Sequence, residues 1–141
     1  MNTKDSENHR MTWANENIIT EKVIKEREGF VYRITEISTM KLYYGIKKFK
    51  KRIRRKPLKG KKRVRIDYVE SDWRTYKTSS PIMQKNLEEH PENYHCSIMK
   101  VCESVTEMKA YEAYMQLSEY VNGNWSSLIN EVINLRIRIR K

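Results

Sequence analysis

Two short runs rich in β-branched and aromatic residues, Phe30–Ile34 and Leu42–Ile46, flank the turn-prone stretch EISTMK and predict an antiparallel hairpin. This hairpin constrains the rest of the chain, because opposing side chains share a face only in one parity of register. Tyr32 and Tyr43 point the same way only if paired residue numbers sum to an odd value, such as 75. A third alternating run, Asn93–Val101, predicts a further strand with Tyr94, Cys96 and Ile98 on one side.

Helix signals sit between and after the strands. In SSPIMQKNLEEH, Ser80 reads as an N-cap with Pro81 in the first turn, and the helix stops near His90 and Pro91. SVTE offers a capping box from Ser104 to Glu107, opening a helix that runs to about Asn122 and Gly123. Met108, Tyr111, Met115, Leu117 and Val121 form its apolar stripe, and Glu112 stands at the margin of that stripe. Residues 1–28 read as a polar N-terminal arm with one short helix around Ile18, Ile19, Val23 and Ile24, and residues 29–141 as the domain proper. The final LRIRIRK alternates as a terminal strand or tail with one basic face.

The charge is concentrated. Lys47 to Arg65 hold 13 basic residues in 19 positions without an acid, leaving 16 of the chain's 29 basic residues to face 18 acids elsewhere. A strip of this kind draws phosphate backbones through counterion release, so nucleic acid is the expected partner, contacted through Lys47, Lys48, Arg54, Arg55, Lys61, Lys62 and Arg63. Any helix over Lys48–Lys56 ends at Pro57 and Gly60, after which RVRIDYVESDW resumes as an extended segment.

Other classes recede. No apolar run approaches the ~18 residues of a membrane span, and the first residues lack the three regions of a secretory signal, so no membrane partner and a cytoplasmic location are expected. Cys96 and Cys102 are too few for a disulfide framework. Together with His90 and His95 they match no paired-ligand zinc spacing.

The two signature-like tripeptides Phe30-Val31-Tyr32 and Tyr43-Tyr44-Gly45, ten residues apart, resemble those of the GIY-YIG nuclease family. SDWRTYKTSS and NLEEHPENYHCSIM look like the segments that follow the signature in small phage members, so the likeness runs from about Gly29 to Asn130. Phe30 and Val31 replace a glycine and an isoleucine, and Tyr44 replaces an isoleucine, while both tyrosines stand. The fold the resemblance implies is α/β of the α+β kind, a three-stranded antiparallel sheet flanked by helices. The activity it implies is Mg²⁺- or Mn²⁺-dependent endonucleolytic cleavage of double-stranded DNA, by a phage or mobile-element enzyme in the host cytoplasm.

The same resemblance names residues. Tyr32 and Tyr43 match the two signature tyrosines, Glu112 the metal-holding glutamate, and Arg52, in preference to Arg54, the arginine of a helix after the signature. Gly45 and Asn130 would support the site. Such a set suits phosphodiester chemistry: tyrosine beside cations to orient or deprotonate water, a guanidinium fork for the phosphate, and a carboxylate for a hard cation. Cutting both strands needs two sites or two visits, which leaves room for a homodimer. The alternative is a catalytically silent nucleic-acid-binding module of the same fold.

Overall fold

The computed structural model describes residues 13–76 and 78–130. In chain order it has α1 (Glu21–Glu26), β1 (Gly29–Glu36), β2 (Lys41–Lys48), β3 (Lys50–Arg55), β4 (Arg65–Glu70), α2 (Pro81–Glu89), β5 (Tyr94–Cys102) and α3 (Val105–Val121). The main sheet is three-stranded and antiparallel in the order β2-β1-β5, and β3 and β4 form a separate two-stranded ribbon. This is the α+β class the sequence implies.

β1 and β2 pair from Gly29 with Lys48 to Glu36 with Lys41, so paired numbers sum to 77 and the odd parity holds. The connecting turn places Met40 at φ 60, and its amide donates to the Glu36 carbonyl at 2.7 Å. β1 is central and covered on both faces, which is why its burial reads as an almost continuous run. Phe30, Tyr32 and Ile34 enter the larger core with Trp13, Phe49, Trp73, Met83 and Ile98. Val31 faces the other way, toward Cys102 and Met108.

The predicted caps form. Ser80 Oγ accepts from the Met83 amide at 3.4 Å, and Ser104 Oγ from the Glu107 amide at 3.1 Å. The returning bond of the second cap goes from the Glu103 amide to the Glu107 carboxylate, one residue before the usual box partner. Met108, Tyr111 and Met115 face the sheet as expected, whereas Val121 is 77% exposed. At ~100° per residue, thirteen positions carry Val121 away from the Met108 side.

Two segments differ from expectation. Residues 13–28 do not trail from the domain: Trp13, Ile19 and Ile24 are buried in its larger core, and the Trp13 indole donates to the Trp73 carbonyl at 2.7 Å. Three aromatic or branched side chains in an otherwise polar stretch suffice to dock it. The helix expected over Lys48–Lys56 is instead strand β3. A helix would stack like charges three and four residues apart, whereas the ribbon sets Lys50 opposite Glu70 and lets Arg55 bond Asp67 at 2.9 Å. Residues 1–12 and the basic tail 131–141 lie outside the described residues.

Candidate active site

The register seats Tyr32 directly across from Gly45. The phenol lies over that glycine so closely that a β-carbon added there would come within 2.9 Å of Tyr32 Cζ, Oη and Cε1. Gly45 is therefore needed for close approach of the ring. Tyr32 is 1% exposed, with Trp13, Tyr76 and Tyr43 rings at 5.1, 6.2 and 6.4 Å between centroids. Its hydroxyl hydrogen-bonds with Thr78 and Tyr76, and burial, reinforced by the two neighbouring tyrosines, drives its pKa well above the ordinary phenol range. Thr78 is fully buried and held at the entry to α2, where its hydroxyl accepts from the Ser80 amide and its carbonyl from Gln84.

Lys47, two residues beyond Gly45 on the same strand face, closes one side of this cluster. Its ammonium lies 3.9 Å from the Tyr76 ring centre and 2.7 Å from Asp72 Oδ1. That lysine hydrogen bond holds the Asp72 carboxyl below its usual range. On the other side Tyr43, half-buried, borders a cleft of about 710 Å³ lined also by Glu36, Lys41, Asn86 and Asn130. Asn130 spends its amide on the sheet: Oδ1 accepts from the Tyr44 amide at 2.9 Å and Nδ2 donates to the Tyr44 carbonyl at 3.0 Å. With the bridge between Leu42 and Leu128, this covers the β2 edge as far as Tyr44.

Glu112 belongs to a different neighbourhood. Its helix, α3, packs on the Val31 face, opposite the face that holds Tyr32 and Tyr43. The carboxyl is half-buried, which raises its pKa, and Gln116 Nε2 donates to it at 3.4 Å. Gln116 is 1% exposed, and among the described residues its Oε1, like Arg33 Nε, is buried without a hydrogen-bond partner. Tyr44, on this same face, hydrogen-bonds with Arg33, and burial followed by the Glu119 charge raises its pKa.

The donor chemistry here decides which metal could fit. No group of three His, Cys, Asp or Glu residues gathers among the described residues. Glu112, half-buried beside Gln116, offers carboxylate oxygens, which suit a hard cation that keeps much of its water shell.

The arginines lie elsewhere. Arg52 and Arg54 are exposed on β3, opposite Tyr68 and Ile66, and neither has a hydrogen bond or ion pair with the tyrosines or Glu112. Lys48, Lys61, Lys62 and Arg63 are likewise exposed. Sequence reasoning missed Tyr76, Thr78 and Asp72. All three lie in or beside SDWRTYKTSS, where no periodicity separates an inward tyrosine from an outward one. It also missed Gln116, which reads as an ordinary polar helix residue.

A family model described as "Putative endonuclease segE, GIY-YIG domain" matches residues 13–128, beginning at the buried Trp13. No curated protein and no solved structure matches the chain.

Proposed function

The chain belongs to the segE-type GIY-YIG endonuclease family, and from that premise we propose that it is a metal-dependent endonuclease that cleaves phosphodiester bonds of double-stranded DNA. The observation that carries the proposal is the Tyr32–Gly45 contact, with Tyr43 and Lys47 beside it: both signature elements meet in one cluster with a cation.

Roles follow from burial and charge. Tyr32 stays protonated at neutral pH, so it acts as a fixed hydrogen-bond donor and positioning residue rather than as a base. Tyr43, at the mouth of the cleft, is the tyrosine that can meet and orient an attacking water. Lys47 and the exposed Lys48 follow Gly45 at the end of β2 that Asn130 leaves uncovered, where they would draw in a phosphate. Glu112, with Gln116 beside it, would hold Mg²⁺ or Mn²⁺. The cation, when bound, supplies Lewis acidity at a phosphoryl oxygen and a more acidic water. Because Tyr43 and Glu112 lie on opposite faces, the scissile phosphate would sit at the open edge of β2, reached from both sides of one strand.

Supercoiled plasmid incubated with the protein and Mg²⁺, beside EDTA, Glu112→Ala and Tyr43→Phe, tests this. Nicking or linearisation with metal, lost in both variants, is the expected result. Cutting that survives both variants would remove the assigned residues, and cutting unaffected by EDTA would remove the metal. The placement of Glu112 across the sheet, and of Arg52 on the ribbon, favours one second reading, a silent DNA-binding module. Duplex retention without any cutting in Mg²⁺ or Mn²⁺ would establish it.

A further inference from the structure

Resting on the duplex-DNA reading, we infer that the β3–β4 ribbon is a sequence-reading arm that enters the major groove through the face bearing Arg52, Arg54, Ile66 and Tyr68.

The ribbon contributes little to packing of the domain. Its two strands pack extensively with each other and at most marginally with any other element of the described structure. Its root is nevertheless fixed. Fully buried Phe49 lies before β3 and fully buried Trp73 after β4, their rings edge to face at 5.5 Å, while the Ser71 amide donates to the Phe49 carbonyl at 2.7 Å. A rooted ribbon without a covering partner is an arm held out for something outside the chain.

Its shape and charge say what. Six residue pairs span about 20 Å, and a two-stranded ribbon matches the ~12 Å width of the B-DNA major groove. The deep, narrow major groove of duplex RNA admits no such element. Residues 50–70 carry eleven basic side chains against Asp67 and Glu70. Lys59, Lys61 and Lys62 crowd the loop, where Gly60 turns at φ 81.

The two faces of the ribbon are unequal, and the difference selects the reading face. On one side Arg55 is spent on Asp67, and Ile53 and Val69 are half-buried. On the other, Arg52 and Arg54 have no acidic partner among the described residues, and they flank Ile66 and Tyr68, which are 41% and 62% exposed. Free guanidinium forks beside uncovered apolar groups suit guanine edges beside thymine methyls. Arg52 and Arg54 are about 7 Å apart along the strand, close to two base-pair steps. The arm therefore reads two guanines separated by one base pair, while the loop lysines hold phosphate.

The test uses the full chain with EDTA, so that binding is scored without cutting. Duplexes enriched by rounds of retention from a random pool are methylated at guanine N7, which lies in the major groove, and sorted into bound and free. Expected is depletion of the bound fraction at two guanines two steps apart. Arg52→Ala/Arg54→Ala should abolish that depletion and weaken binding about tenfold or more per arginine. Arg52→Lys keeps the charge but not the fork, so it should lose the depletion at one guanine and keep the salt slope. Lys85→Ala, on α2, is the control. Retention without sequence enrichment, or without N7 interference, overturns groove entry while leaving the endonuclease reading intact. Absence of duplex retention together with absence of plasmid cutting overturns that reading and this one with it.

Discussion

Replacing Gly45 by alanine adds one methyl where β2 passes under the Tyr32 ring. That methyl would sit within 2.9 Å of Tyr32 Cζ, Oη and Cε1, whereas ordinary contact begins near 3.4 Å, so the phenol must retreat by about an ångström. It has nowhere to go, being 1% exposed and walled by Trp13, Phe30, Tyr43 and Tyr76. Overpacking of a closed core costs about 1–3 kcal/mol, and this enclosure argues for the upper end. Alanine offsets roughly 0.5–1 kcal/mol of it by lowering chain entropy relative to glycine. A net loss of about 2 kcal/mol should lower Tm by roughly 6–10 °C in a domain of this size. Circular dichroism melts of Gly45→Ala in wild-type and Tyr32→Ala backgrounds measure it as a double-mutant cycle. In the second background the ring is gone, so the alanine should be neutral or slightly stabilising. A Tm drop below about 2 °C in the first background, or an equal drop in both, would refute the claim that Tyr32 dictates the glycine.

Other expectations follow from the same geometry. Asn130→Ala removes two hydrogen bonds to the Tyr44 backbone and should cost about 1–2 kcal/mol in urea unfolding, with faster amide exchange at Tyr44. Glu112 has its folded pKa raised by burial, so the folded state binds its proton more tightly and this residue penalises stability above that pKa. Glu112→Gln should therefore raise Tm at neutral pH, by an increment that vanishes once pH falls below the ordinary carboxyl range, while abolishing cutting. Asp72, whose pKa is lowered chiefly by Lys47, has the opposite sign, and the stability difference between wild type and Asp72→Asn should shrink as pH falls through the depressed value. Burial lifts the Cys102 thiol to about 11, so thiol reagents at neutral pH should label it only when the chain unfolds.

How much of this was legible in sequence depended on whether the deciding contact was local. The hairpin, its odd parity, the third strand and the Ser80 and Ser104 caps rest on neighbours within a few residues, and they form as the pattern requires. The ribbon did not announce itself, because Lys50–Arg55 has few apolar residues to mark a period of two. Its partner strand lies beyond a nine-residue loop, and only cross-strand charge pairing shows why it extends. Trp13 was hidden for a similar reason: a single tryptophan in a polar stretch declares nothing until Trp73, sixty residues away, supplies its acceptor. Of the candidate site, the signature spacing singled out Tyr32, Tyr43 and Gly45, but the faces on which its members lie were not legible. Parity joined Tyr32 to Tyr43, while nothing in the spacing of α3 says on which side of the sheet Glu112 will dock.

The α3 face carries its own argument that Glu112 serves more than packing. A helix chosen only to cover Val31 and Cys102 would continue the apolar stripe of Met108 through positions 112 and 116. Instead it buries a carboxylate whose ionisation burial opposes, and a glutamine whose oxygen finds no donor, beside a strand whose Arg33 Nε is equally unsatisfied. Each of these lowers stability, and departures from local consistency gather where function demands them. A half-buried carboxylate beside a buried amide oxygen that lacks a donor is such a departure, which is why loss of cutting and gain of stability should arrive together in Glu112→Gln.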